Sequence, residues 1–248
     1  MSSQSEPSHS IFELRRYTTH PGRRDDLIAL FEDQFIEGQE EDGGMRIIGE
    51  FRDAGDPDQF VWMRAFADME SRRAALESFY GGPIWARHRE AANATMVDSS
   101  NVLLLRPARP GSGLRVDPAL RRARGAAEAD GGVVVAAIRW LEAPAVEADM
   151  ARLEAEVMGP LGAAGAVLLA SYVTESSANT FPRLPVREGE HVALVLASAA
   201  AEAAQAVHRA ALELRASPRA SPRGAIEVLE LLPARRSLLR HAALPLAR

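Results

Sequence analysis

The 248-residue chain contains no cysteine and no lysine. The first absence excludes disulfides, thiolate metal ligands and thiol nucleophiles. The second excludes Schiff-base chemistry and a Walker-type phosphate loop, since both need a lysine amine. All 29 basic side chains are therefore arginines. No stretch approaches the roughly 18 apolar residues of a membrane-spanning helix. The opening MSSQSEPSHS has no basic end followed by an apolar block, so it reads as the frayed N-terminus of a cytoplasmic protein rather than a signal peptide. A net charge of −5, with no basic tract interleaved with aromatics, argues against nucleic acid as a partner. No spacing matches a zinc site, a calcium loop or a paired-carboxylate glycosidase, and no metal or other cofactor is expected.

What is present is a chain with 47% hydrophobic residues, enough for one large core or two ordinary ones. IFELRRYTT is a strand that stops at Pro21-Gly22, and Leu27, Leu30, Phe31 and Phe35 then form a helical apolar stripe. After Gly43-Gly44 come two period-two strands, MRIIGEFRD and QFVWMRAF, parted by the turn around Asp56-Pro57. Asp68 is placed to cap a helix carrying Arg72, Leu76, Phe79 and Tyr80. Beyond Gly81-Gly82-Pro83 a second helix holds Trp85 and His88 one turn apart, and SNVLLLRP is a fourth strand. Glu37, Glu40, Glu41 and Asp42 read as a solvated helix end.

The same order recurs later in GVVVAAIRW, a helix near 145–161, AVLLASYV, HVALVLA, an Ala-rich helix near 199–215, and AIEVLELL. The fold class is α+β: two tandem ferredoxin-like (βαββαβ) domains forming a dimeric α+β barrel. The division is 1–10, a disordered N-terminus; 11–107, the first domain; 108–131, a linker; 132–233, the second domain; and 234–248, a tail. Pairing of the two sheets within one chain satisfies both, and a homodimer stays open as an alternative.

Glu13-Leu14-Arg15 followed by Tyr17 and Pro21-Gly22 is similar to the ELR-x-Y-x-x-x-P-G opening of NIPSNAP-family domains. Trp62, Arg72 or Arg73, Trp85 and LLLRP follow in that family's order, and NTFPRLPVREGE resembles a stretch of its tandem members. The resemblance implies the dimeric α+β barrel fold and no particular reaction. The second copy's first strand, VVVAAIRW, lacks the Glu-x-Arg-x-Tyr pattern, so a polar site is expected in the first copy.

With β-strands one and three side by side, Glu13, Arg15 and Tyr17 adjoin Phe60, Trp62, Arg64 and Phe66. Assigning Phe12, Leu14, Val61 and Met63 to the helix side turns the mixed set toward the barrel interior. Flat rings with guanidinium and phenol groups suit an aromatic, oxygen-bearing substrate. The expected catalytic set is His88 or Glu13 moving a proton, Arg15 or Arg64 stabilising an oxyanion and Tyr17 orienting a carbonyl. Phe60, Trp62, Phe66, Trp85, Phe181, Arg183, Arg187 and His191 are the expected substrate contacts. The competing assignment makes Glu13 and the arginines a structural ion cluster, His88 a packed core residue, and the 176–190 loop an interdomain clasp rather than a lid. The function expected is binding of a small-molecule substrate, with cofactor-independent cyclase, isomerase or monooxygenase chemistry on an enolisable or aromatic metabolite of specialised bacterial metabolism. The alternative is a noncatalytic binding or scaffold protein. A pocket of about 300 Å³ or more with His88 or Tyr17 on its wall favours the enzyme; a filled barrel favours the scaffold.

Overall fold

The computed structural model describes residues 9–41, 44–128, 132–216 and 225–241. Residues 1–8 and 242–248, assigned to the terminal segments, lie outside the described residues, as do Asp42 and Gly43. Eight strands, β1 (Ile11–Thr19), β2 (Arg46–Asp53), β3 (Gln59–Phe66), β4 (Met96–Pro107), β5 (Val133–Leu141), β6 (Val167–Thr174), β7 (His191–Ala199) and β8 (Ile226–Pro233), close into one barrel. The order is β1-β3-β2-β8-β5-β7-β6-β4, with every neighbouring pair antiparallel. Closure gives each strand a partner on both sides, although the β2–β8 and β4–β6 pairings are short. Each half of the chain supplies one arc, β4-β1-β3-β2 and β8-β5-β7-β6, and the arcs meet at the β2–β8 and β4–β6 seams.

Among the described residues six α-helices cover the outside: α1 (Arg24–Leu30), α2 (Ile36–Glu41), α3 (Met69–Gly81), α4 (Pro83–Asn93), α5 (Glu147–Ala163) and α6 (Ala204–Ala216). A π-helical turn, Phe31–Phe35, joins α1 to α2. Asp68 caps α3 as its sequence suggests, accepting a hydrogen bond from the Ser71 amide at 2.7 Å. At Gly38, where α2 approaches α4, a Cβ would lie 2.6 Å from Ile84 Cδ1, so a side chain there requires the end of Ile84 to shift.

The two faces of the sheet are the reverse of the expectation. Phe12, Leu14, Val61 and Met63 point into the barrel and join Ile138, Tyr172, Leu194, Leu196 and Leu229 in one apolar cluster. Glu13, Arg15, Tyr17, Phe60, Trp62, Arg64 and Phe66 alternate with them and lie on the other face, beneath α1–α4. An eight-stranded barrel is narrow enough for its own side chains to fill, and here the apolar cluster occupies it. An ion cluster sealed inside it would meet apolar side chains from all sides. The helical layer instead offers polar neighbours, Gln39 and Arg72. Leu14→Ala is expected to lower unfolding free energy by about 2–5 kcal/mol in urea titration.

Glu37 and Glu40, expected at a solvated helix end, are structural ties. Glu40 takes Arg121 of the segment between β4 and β5 at 2.7 Å, and Glu37 takes Arg124 at 2.9 Å and also binds Arg236. The Arg236 amide donates to Glu32 Oε1 at 2.8 Å, and the Leu239 amide to the Ile48 carbonyl at 2.9 Å. Residues 234–239 thus pack onto the first half, with Leu239 reaching the barrel core.

Amid these ties lies Glu50 of β2, fully buried, with no hydrogen-bond partner on either carboxylate oxygen among the described residues. The nearest cation is Arg121, 3.6 Å away. Burial pushes the Glu50 carboxyl up to about 7, Arg121 and Arg236 oppose the rise, and Glu32 and Glu40 add to it.

Candidate functional site

The pairing of β1 with β3 sets Glu13 opposite Arg64, Arg15 opposite Trp62 and Tyr17 opposite Phe60. Cross-strand partners on one face are close enough to interact directly, and here they build an ion cluster around Glu13. Arg15 Nη1 donates to Glu13 Oε2 at 2.7 Å, Arg64 Nε to the same oxygen at 2.8 Å, and Arg72 Nε, from α3, to Oε1 at 2.6 Å. All four side chains are fully buried. Burial alone would raise the Glu13 carboxyl, but the arginines prevail and hold it well below the usual carboxylate range. Arg64 also donates to Gln39 Oε1 at 3.1 Å, and its guanidinium lies over the Trp62 ring at 5.0 Å.

Arg15 links this cluster to a cavity. Its Nε donates to the Tyr17 hydroxyl oxygen at 2.8 Å. Since the phenol oxygen accepts from Arg15, its own proton is free to point elsewhere. Burial pushes the Tyr17 phenol above its ordinary value against the opposing Arg15, so at neutral pH it is a protonated donor. Tyr17 forms part of the wall of a cavity of about 360 Å³ between β1, β3 and the helices. Of the eight Phe, three Trp and three Tyr in the chain, nine line this space. Phe31 and Phe35, on the π-helical turn, meet edge-on at 6.1 Å and 89°. The wide turn advances the backbone relative to an α-helix, and such turns recur at functional sites.

One side of the mouth is covered from the other half of the chain. The β6–β7 loop brings Phe181 against Tyr80 in a stacked contact, 5.9 Å between centroids and 26° between planes. Asn179 Oδ1 accepts from Arg72 Nη1 at 3.0 Å, and Thr180 Oγ1 donates to the Met69 carbonyl at 3.2 Å. The loop is thus both cover and clasp: hydrogen bonds anchor it to α3, and Phe181, Arg183 and Leu184 line the cavity.

Of the residues singled out from sequence, Tyr17, Phe60, Trp62, Trp85, Phe181 and Arg183 line the cavity. Glu13, Arg15 and Arg64 lie behind its wall, and Phe66 lies under Arg64, 5.5 Å from ring centre to guanidinium. His88 is not on the wall; it meets the Phe35 ring edge-on at 6.3 Å. The face of α4 turned to the cavity carries Trp85, Arg89 and Ala92, so the helix is rotated slightly from the expected Trp85–His88–Ala92 face. Arg187 and His191 are apart from this site, on a second recess of about 210 Å³, where Arg187 lies 4.3 Å over the Trp140 ring. The contributions of Gln39, Tyr80 and Arg89 were missed in the sequence, as was Arg72 as the third ligand of Glu13. Arg72 carried a signal, one polar residue on an otherwise apolar helix stripe. Among the described residues no group of three or more His, Asp or Glu is placed to hold a metal ion, and no helix is long and apolar enough to cross a membrane.

Residues 12–110 match the NIPSNAP family model. A structure from Lactobacillus acidophilus with a provisional monooxygenase designation is 12% identical, with 94% of this chain and 99% of that one covered at a TM-score of 0.50; at this identity the likeness is one of fold. A NIPSNAP family protein from Agrobacterium tumefaciens is 23% identical over 43% of this chain and 100% of its own, at a TM-score of 0.39. A NIPSNAP-like domain protein from Burkholderia xenovorans is 26% identical over 42% of this chain and 90% of its own, at a TM-score of 0.38. No curated protein matches the chain.

Proposed function

The chain carries a NIPSNAP-family domain over residues 12–110, and we propose that this domain binds a small organic molecule in the aromatic cavity and acts there as a cofactor-independent enzyme of cyclase, isomerase or monooxygenase type. The observation that carries the reading is Tyr17, whose hydroxyl is fixed by Arg15 and whose side chain lines a ring-rich space large enough for a ligand. The two arcs are read as a duplicated ferredoxin-like unit, residues 11–107 and 132–233, whose second copy contributes the loop over the mouth.

The roles first expected change with the geometry. Glu13 is held ionised by three arginines and is a poor base, since taking a proton would leave those charges unpaired. His88 stands beside Phe35 rather than on the wall. The chemistry therefore draws on a substrate whose own enol or phenol proton is acidic enough to pass to water, with dioxygen as co-substrate where the reaction is an oxygenation. Tyr17 donates to the developing oxyanion, while Arg15 fixes the phenol from behind. Tyr17→Phe, which keeps the ring and removes the donor, is expected to lower turnover about 10²-fold with little change in melting temperature. The substrate is sought among enolisable aromatic compounds that raise the melting temperature. Turnover unchanged in Tyr17→Phe contradicts the assignment. A noncatalytic ligand-binding protein is the second reading, favoured by a cavity wall with no His, Asp or Glu among the described residues; binding of such compounds without their conversion identifies it.

A further inference from the structure

The charge around the cavity is one-sided. Three buried guanidinium groups, Arg15, Arg64 and Arg72, share the single carboxylate of Glu13. Their remaining partners, Tyr17, Gln39, Asn179 and Thr180, are neutral. The wall adds Arg89 on α4 and Arg183 in the covering loop, and no acidic residue lines it among the described residues. Buried cations are ordinarily matched by carboxylates or fully hydrogen-bonded. Here Arg15 Nη2, Arg72 Nη2 and the Trp62 indole N–H have no hydrogen-bond partner among the described residues, although all three are shielded from water. A chain with net charge −5 has carboxylates to spare, so the cationic excess is local to this site.

We propose that the ligand of the aromatic cavity is an organic anion, an aromatic ring system bearing a carboxylate, whose negative charge sits at the Tyr17 end and balances the buried arginines. The inference rests on the cavity being a ligand site and specifies the class of ligand it takes. Rings from both halves of the chain hold the aromatic body, and the Tyr17 hydroxyl, braced by Arg15, donates one hydrogen bond to the anionic end of the ligand, a carboxylate oxygen whose charge grows when the adjoining carbon is enolised. Arg89 and Arg183 give the entrance the same sign, so a negative ligand is drawn toward it and a cationic one repelled. In a cavity partly shielded from water, such interactions exceed those at an exposed surface.

The probe is a matched pair, 2-naphthoate and its neutral amide, 2-naphthamide, titrated calorimetrically into the full chain at neutral pH in low and high salt. The acid is expected to bind at least about tenfold more tightly than the amide, with the difference shrinking as salt is raised. Arg89→Gln with Arg183→Gln, both at the entrance rather than in the core, is expected to weaken the acid about tenfold and leave the amide unchanged. Tyr17→Phe is expected to weaken the acid without lowering the melting temperature. Equal binding of acid and amide would overturn the anion assignment while leaving the cavity a ligand site. Acid binding indifferent to both sets of substitutions would place the anion elsewhere and overturn the assignment. Binding of neither compound would overturn the cavity reading and the anion assignment together.

Discussion

Glu13→Gln is expected to unfold at much lower urea concentration than the parent, with a loss of about 3–5 kcal/mol. The substitution keeps the shape of the side chain and removes the only negative charge among three buried guanidinium groups. Arg15, Arg64 and Arg72 then remain desolvated with a neutral amide between them, and the amide nitrogen adds donors where only acceptors fit. The same cluster gives the parent an acid-labile component. The Glu13 carboxyl is held below its ordinary value of 4.5 in the folded chain. Its stabilisation is therefore complete above that pH and is lost as the pH falls through the lower folded value. In Glu13→Gln that component is absent, so its stability is flatter with pH across the acidic range. A loss below about 1 kcal/mol, the value of an exposed ion pair, would show that the cluster is hydrated.

Glu50→Gln has the opposite sign. The Glu50 carboxyl is buried, lacks a hydrogen-bond partner among the described residues and is pushed up to about 7. Between 4.5 and that value the folded chain keeps this proton while the unfolded chain releases it. Stability therefore declines as pH rises across this window and levels off above it, by up to about 3 kcal/mol from this residue. Glu50→Gln cannot ionise. Its stability relative to the parent is expected to be greater at about pH 8 than at about pH 5 by most of that amount, read from urea midpoints at the two values. The charged neighbours are the same in both proteins: Glu32, Glu40, Arg121 and Arg236. A difference that does not change with pH would mean that Arg121, 3.6 Å away, already keeps Glu50 ionised.

The order of elements was legible because each strand and helix keeps its own apolar period, and Asp68 announces the start of α3. The direction of the sheet's faces was not. In β1 both faces are buried, Phe12 and Leu14 against the barrel core and Ile11 and Tyr17 against the helices. Alternation separates two such sets without saying which one a curved sheet encloses. The membership of the Glu13–Arg15–Arg64 cluster followed from pairing β1 with β3, and its position relative to the barrel did not. Contacts from distant segments had no local signal: Asn179 meets Arg72 across 107 residues, and Arg236 meets Glu37 across 199. Glu50 reads in the sequence as an ordinary polar residue of a period-two strand; in the fold it is buried, with Arg121 of the β4–β5 segment and Ala234 packed beside it.

The proposed ligand site lies between the first sheet arc and α1–α4, outside a filled barrel, and diffraction from crystals soaked with 2-naphthoate locates the bound molecule. The expected result is difference density among Tyr17, Trp85 and Phe181, with the carboxylate at the Tyr17 hydroxyl. Density within the ring of Leu14, Tyr172 and Leu196, with those side chains displaced to admit it, would contradict the claim.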